Sequence, residues 1–177
     1  MKKVFIIILS LVAVVAIYAQ NSLNVPKFMG IPIDGTEQQM IEKLQTKGFT
    51  QGKDEGWLEG KFNGQDVGLK LMTNKGKVYR VFIVYYRTES KKVIINEYNH
   101  LFEQFKNNKN YKYSYGKQLN DNENLSYHLA MQDKSYEASW VAKVGTIVWF
   151  DIISSNGRYS LLLRYDNPKN RPNGEDL

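Results

Sequence analysis

The most apolar stretch of the chain comes first. After Lys2 and Lys3, apolar residues run from Val4 to Leu9 and from Leu11 to Ile17, interrupted only by Ser10. Positive charge, an apolar run, then the small residue Ala19 ahead of polar Gln20-Asn21-Ser22 is the layout of a secretory signal. Residues 1–19 are therefore expected to be a signal peptide cleaved after Ala19. The run is also shorter than the roughly 20 apolar residues that a membrane-spanning helix needs. The expected product is exported, periplasmic or secreted, with no membrane span once the signal is removed. Residues 20–35 then read as an extended lead-in, punctuated by Pro26, Gly30 and Pro32.

From Thr36 the pattern turns helical. Thr36 followed by Gln39 fits a capping box, in which each side chain satisfies a free backbone N–H near the other. Met40, Ile41 and Leu44 form one apolar stripe, and Gly48 suits the left-handed stop. This predicts a helix over about 37–47. The period then drops to two: Trp57, Glu59 and Lys61 alternate with Leu58, Gly60 and Phe62. Asn63-Gly64 marks a hairpin before Val67, Leu69 and Leu71, and Asn74-Lys75-Gly76 marks a second turn. Val78 to Arg87 is rich in β-branched and aromatic residues, as a central strand would be.

A second helix is predicted from near Ser90, where Ile94, Tyr98, Leu101, Phe102 and Phe105 make a broad apolar face. Asn107-Asn108-Lys109-Asn110 ends it. Strands are expected over 111–115, 125–131, 136–142, 147–153 and 159–165, and residues 166–177 read as a disordered tail containing Pro168, Pro172 and Gly174. The resulting expectation is an α+β fold in a single domain, 36–165. Two helix-plus-antiparallel-meander units, 36–88 and 89–165, would pack their helices on one sheet face, and their shared order suggests a structural duplication.

Composition narrows the functional classes. The formal net charge is +6, and removing Lys2 and Lys3 leaves 22 basic against 18 acidic residues. That mixed surface is not a nucleic-acid footprint. The absence of cysteine excludes a disulfide framework, a thiolate metal site and a lipid-anchoring cysteine after the leader.

Catalytic patterns are weak. His100 and His128 have no ligand spacing to suggest a metal site, and no cofactor motif occurs. Ser154, Ser155 and Ser160 lack a nucleophile elbow. Asp54, Glu55 and Glu59 cluster around Trp57, and Asp151 interrupts an apolar strand, where it reads as a strand end or a solvent-facing position. Gly52, Gly56, Gly60, Gly64 and Gly68 recur every four residues in strand and turn territory, where glycine marks turns and bulges. The strongest functional signal is aromatic. Tyr111, Tyr113 and Tyr115 alternate along one strand and are expected to share a face, with Trp140 and Tyr159 as further binding candidates. Exposed tyrosines offer rigid contact area with a polar tip; buried ones would pair across strands.

The run Phe28-Met29-Gly30-Ile31-Pro32-Ile33-Asp34-Gly35-Thr36, leading into Met40-Ile41-Glu42-Lys43-Leu44 and Lys47-Gly48-Phe49, resembles small exported Bacteroidetes-type proteins of uncharacterised function. The repeated helix-plus-meander order is also similar to the β-lactamase-inhibitor-like plan, which implies a concave sheet for a partner. The lack of cysteine departs from that pattern, so inhibition is not carried over. The expected function is an exported, non-enzymatic binding protein of the bacterial envelope, using an aromatic sheet face against a protein or carbohydrate partner. The alternative is an exported hydrolase of glycan or peptide using Asp/Glu acid–base chemistry.

Overall fold

The computed structural model describes residues 25–130 and 136–172. The expected signal peptide, the start of the expected lead-in, residues 131–135 and the last five residues lie outside them.

Local signals set the first elements. Strands β1 (Lys27–Phe28) and β2 (Ile31–Pro32) form a small ladder around a turn at Met29 and Gly30. Helix α1 (Glu37–Gln45) starts on the complete Thr36/Gln39 capping box and buries Met40 and Leu44. Gly48, at φ 90°, turns the chain into β3 (Thr50–Gln51). Then β4 (Trp57–Phe62), β5 (Gln65–Asn74) and β6 (Lys77–Thr88) form a meander. Its turns, Asn63-Gly64 and Lys75-Gly76, hold both central residues at positive φ, which matches the twist of the flanking strands. Helix α2 (Lys91–Asn107) is capped by Ser90, whose hydroxyl accepts from the Val93 N–H. It is followed by β7 (Tyr111–Tyr115), α3 (Leu125–Ala130), β8 (Ala138–Ala142), β9 (Ile147–Ser155) and β10 (Arg158–Asp166).

The α+β expectation of two helix-plus-antiparallel-meander units is overturned. Among the described residues the fold is mostly β, 44% strand against 22% helix. Both segments enter one eight-stranded antiparallel sheet in the order β3-β4-β5-β6-β10-β9-β8-β7. The central β6–β10 pair welds them together, and α2 lies against β6 as well as β7, β9 and β10. The long helix therefore closes no meander of its own. Register with a distant strand decides this, and no local pattern encodes it.

Two further expectations change. Residues 125–130 form α3 rather than a strand, because Leu125 and Leu129, at helical spacing, both face the core. The expected tail is anchored through Asn170. Asp166 ends β10 with no exposure, and Asn167 Nδ2 donates to the Ile33 carbonyl at 2.8 Å. Asn170 Nδ2 donates to Asp34 Oδ1 and to the Val78 carbonyl, each at 2.9 Å. Proline content pointed to disorder, whereas these amide side chains satisfy carbonyls that the β2–α1 loop and β6 leave open.

Strand alternation builds the core. Leu69 and Leu71 on β5, Val81 and Ile83 on β6, Phe150 and Ile152 on β9, and Leu161 and Leu163 on β10 are all buried. They form one cluster with Ile94, Tyr98, Leu101 and Phe105 of α2. Every second residue of the same strands points the other way and forms the open face of the sheet.

Candidate functional site

The ladder registers assemble the open face row by row. Trp57 pairs with Lys70, Lys70 with Phe82, Phe82 with Arg164, Arg164 with Trp149, Trp149 with Ser139 and Ser139 with Tyr115. One line across seven strands thus carries aromatic and cationic side chains. The next row runs Glu59, Gly68, Val84, Leu162 and Asp151.

The centre of the face is an arginine–indole cluster. The guanidinium carbons of Arg80, Arg164 and Arg171 lie 5.1, 5.0 and 5.1 Å from the Trp149 ring. Cations at that distance are attracted by the ring quadrupole. Arg80 also makes a two-pronged contact with Asp166, Nε to Oδ1 at 2.6 Å and Nη2 to Oδ2 at 2.8 Å. Burial pulls the Arg80 pKa down, but the Asp166 hydrogen bond and charge leave it above the ordinary value. Arg164 Nη2 sits 2.7 Å from Asp151 Oδ1 and 3.5 Å from Glu137 Oε2. The Tyr115 hydroxyl donates to Glu137 Oε1. Burial and that bond to Glu137 push the Tyr115 phenol well above the usual tyrosine range. Arg171 is exposed and comes from the anchored C-terminal segment.

Asp151 titrates against habit. Burial raises its carboxyl above the usual aspartate range, even though Arg164 pulls it down. The folded protein thus holds this proton more tightly than the unfolded chain does. The contribution of Asp151 to stability is greatest below the ordinary aspartate range and falls as pH rises through the raised value. Asp151→Asn is expected to flatten that part of a profile of urea midpoint against pH. An unchanged slope would assign the dependence to other groups.

At one end of the face, where β4, β5 and β6 meet the loop after α1, a groove of about 970 Å³ is lined by Lys47, Trp57, Glu59, Gly68, Val84 and Arg87 among others. Val84 and Arg87 also line an adjoining depression of about 470 Å³, bordered by Ile153, Arg158 and Ser160.

The five candidate residues do not form one surface. Tyr111 is half-buried, its ring edge-on to Phe105 at 4.9 Å. Tyr113 is 52% exposed, yet its ring meets Trp140 at 5.9 Å and Phe102 at 6.4 Å, on the helix side. Tyr115 lies on the opposite face, because a register shift between Tyr113 and Tyr115 inserts one residue and sets Tyr115 against Ser139. Gly116, at φ 121°, permits this bend, and a Cβ there would meet the Ala138 Cβ at 2.5 Å. Trp140 has no exposure, so its assignment as a binding residue is corrected to core. Tyr159 is half-buried, its hydroxyl 3.3 Å from Ser126 Oγ. Of the five, only Tyr115 belongs to the open face.

Asp151, expected at a strand end or facing solvent, sits mid-strand on this face. His100 is exposed on α2 beside Gln104, and the His128 side chain lies outside the described ones. Among the described residues, no group of histidine and acidic side chains could hold a metal ion, and no helix is long and apolar enough to cross a membrane.

The chain matches no protein-family model, no curated protein and no solved structure.

Proposed function

We propose that this chain is an exported, non-enzymatic binding protein of the bacterial envelope, and that the open sheet face meets its partner. The observation that carries the reading is the seven-strand row from Trp57 to Tyr115, with Trp149 held among three arginines at its centre. Aromatic and arginine side chains held rigidly on strands are the groups that anchor interfaces most strongly. Export is supported by Lys2 and Lys3 ahead of the apolar run and by Ala19 before polar residues.

The hydrolase alternative finds its acids in Asp151 and Glu137, both contacted by Arg164. Their engagement by one cation supports a positioning role, holding Arg164 over Trp149, over general acid–base work. The carboxylates of the large groove, Asp54, Glu59 and Asp66, are exposed, which suits contact with a ligand better than proton transfer in a dry site.

The test is retention of the purified protein on envelope fractions of a producing bacterium. Lys70→Glu and Arg171→Glu reverse exposed charges on the open face, and Lys92→Glu does so on α2. Retention is expected to fall at least about tenfold for the first two, as loss of one anchoring contact implies, and to hold for the third. Equal retention of all three would remove the open face as the binding surface.

A further inference from the structure

We infer that the groove at the β4–β5–β6 end of the open face is a saccharide site, with the Trp57 indole as its platform. The inference rests on the open face being the binding face, and it names the ligand class for one end of it.

The cavity, about 970 Å³, is of the size that holds a small ligand or a few sugar rings. Trp57 is half-buried in its wall and is supported on two sides. The Phe82 ring meets it edge-on at 6.0 Å. Gly68 makes room for it: a Cβ at Gly68 would sit 3.3 Å from Trp57 Cε3 and 3.4 Å from Cζ3. The backbone is fastened as well, since the Trp57 N–H donates to the Asp54 carbonyl and the Trp57 carbonyl accepts from the Gly52 N–H. A ring held this way loses little freedom when a ligand stacks on it.

Charge selects the ligand class. Lys47, Lys61 and Arg87 face Asp54, Glu59 and Asp66 around the groove, three cations against three carboxylates. A lining with no net charge gives no electrostatic preference for an anion or a cation. It does offer donors and acceptors side by side, which a neutral, polyhydroxylated ligand uses together, while the C–H face of a sugar ring packs on the indole. Lys61 and Asp66 pair at 2.8 Å with both side chains mostly exposed. Such a pair adds little to folding, so turning either group to a ligand costs little.

The experiment titrates protein expressed from the full chain with a panel of short neutral oligosaccharides, their acidic counterparts and envelope-derived peptides, read by calorimetry and tryptophan fluorescence. A neutral oligosaccharide is expected to bind, with affinity changing less than about twofold between low and high salt, since a neutral ligand has no charge to screen. Trp57→Ala and Gly68→Val are expected to weaken it at least tenfold, and Lys92→Glu, on α2 and off the open face, to leave it unchanged. Glu59→Gln, isosteric and exposed, is expected to weaken binding without disturbing the fold, which covers the case in which Trp57→Ala unfolds. A silent saccharide panel, a Trp57-dependent response to peptides alone, or binding indifferent to Trp57 and Glu59 would each overturn the inference. If the panel is silent while Lys70→Glu and Arg171→Glu still release the protein from envelope fractions, only the saccharide assignment falls. If those variants also change nothing, the open-face reading falls with it.

Discussion

Replacing Arg80 with alanine is expected to cost about 3–5 kcal/mol of folding stability, the range for breaking a buried ion pair from one side. Asp166 has no exposed side-chain surface and Arg80 only 14%, so the carboxylate left behind cannot recover water in the folded state. In the unfolded chain it is fully hydrated, and the difference falls on the native fold. The position makes the loss global. Arg80 and Asp166 are register partners on β6 and β10, the pair through which the two halves of the sheet join. Equilibrium urea unfolding measures the effect, and an Arg80→Met, Asp166→Leu double variant separates its causes. Removing both charges leaves nothing buried and unpaired, so the double variant should lie much closer to wild type than Arg80→Ala. A loss below about 1 kcal/mol for Arg80→Ala would put the pair in the class of solvated surface bridges. Because Arg80 also lies over Trp149, the variant should change tryptophan fluorescence even where it remains folded.

The same pair shows what the chain discloses and what it hides. Elements set by neighbours in sequence are readable: the Thr36/Gln39 cap, the Ser90 start of α2, and the Asn63-Gly64 and Lys75-Gly76 turns all have a local physical cause. The pairing of Arg80 with Asp166 has none, since nothing near either residue names its partner. The open face is hidden for the same reason. Trp149 and Asp151 alternate with inward Val148, Phe150 and Ile152, so their shared side was legible. That Arg164, Phe82 and Trp57 fall in line with Trp149 depends on four successive registers.

Strict alternation also misleads at the β7 edge. One inserted residue turns Tyr115 away from Tyr111 and Tyr113, and a bulge leaves no mark in hydrophobic pattern beyond the glycine that follows. The four-residue glycine spacing resolves into separate needs. Gly64 takes positive φ in a hairpin turn, whereas Gly60 and Gly68 make space for Phe49 on the core side and Trp57 on the open side. Turns and bulges account for only part of that series. Close approach of aromatic rings, which needs the tertiary structure to see, accounts for the rest.

Trp140→Ala is expected to cost about 3–5 kcal/mol, the range for truncating a large buried aromatic, while leaving partner retention per folded molecule unchanged. The side chain has no exposure and joins three elements. Its ring stacks on Phe150 of β9 at 5.3 Å and 9°, and meets Phe102 and Phe105 of α2 at 5.0 and 5.3 Å. An alanine would leave a cavity between sheet and helix that rigid neighbours on two strands can fill only in part. Its indole N–H is buried and has no hydrogen-bond partner among the described residues. Trp140→Phe should therefore cost clearly less, since it keeps most of the ring contacts and removes an unsatisfied donor. The ordering of alanine, phenylalanine and wild type in urea midpoint tests the core assignment. Retention on envelope fractions, measured where Trp140→Ala is still folded, tests function separately. Wild-type stability with retention lost would place Trp140 in contact with the partner and reverse its assignment to the core.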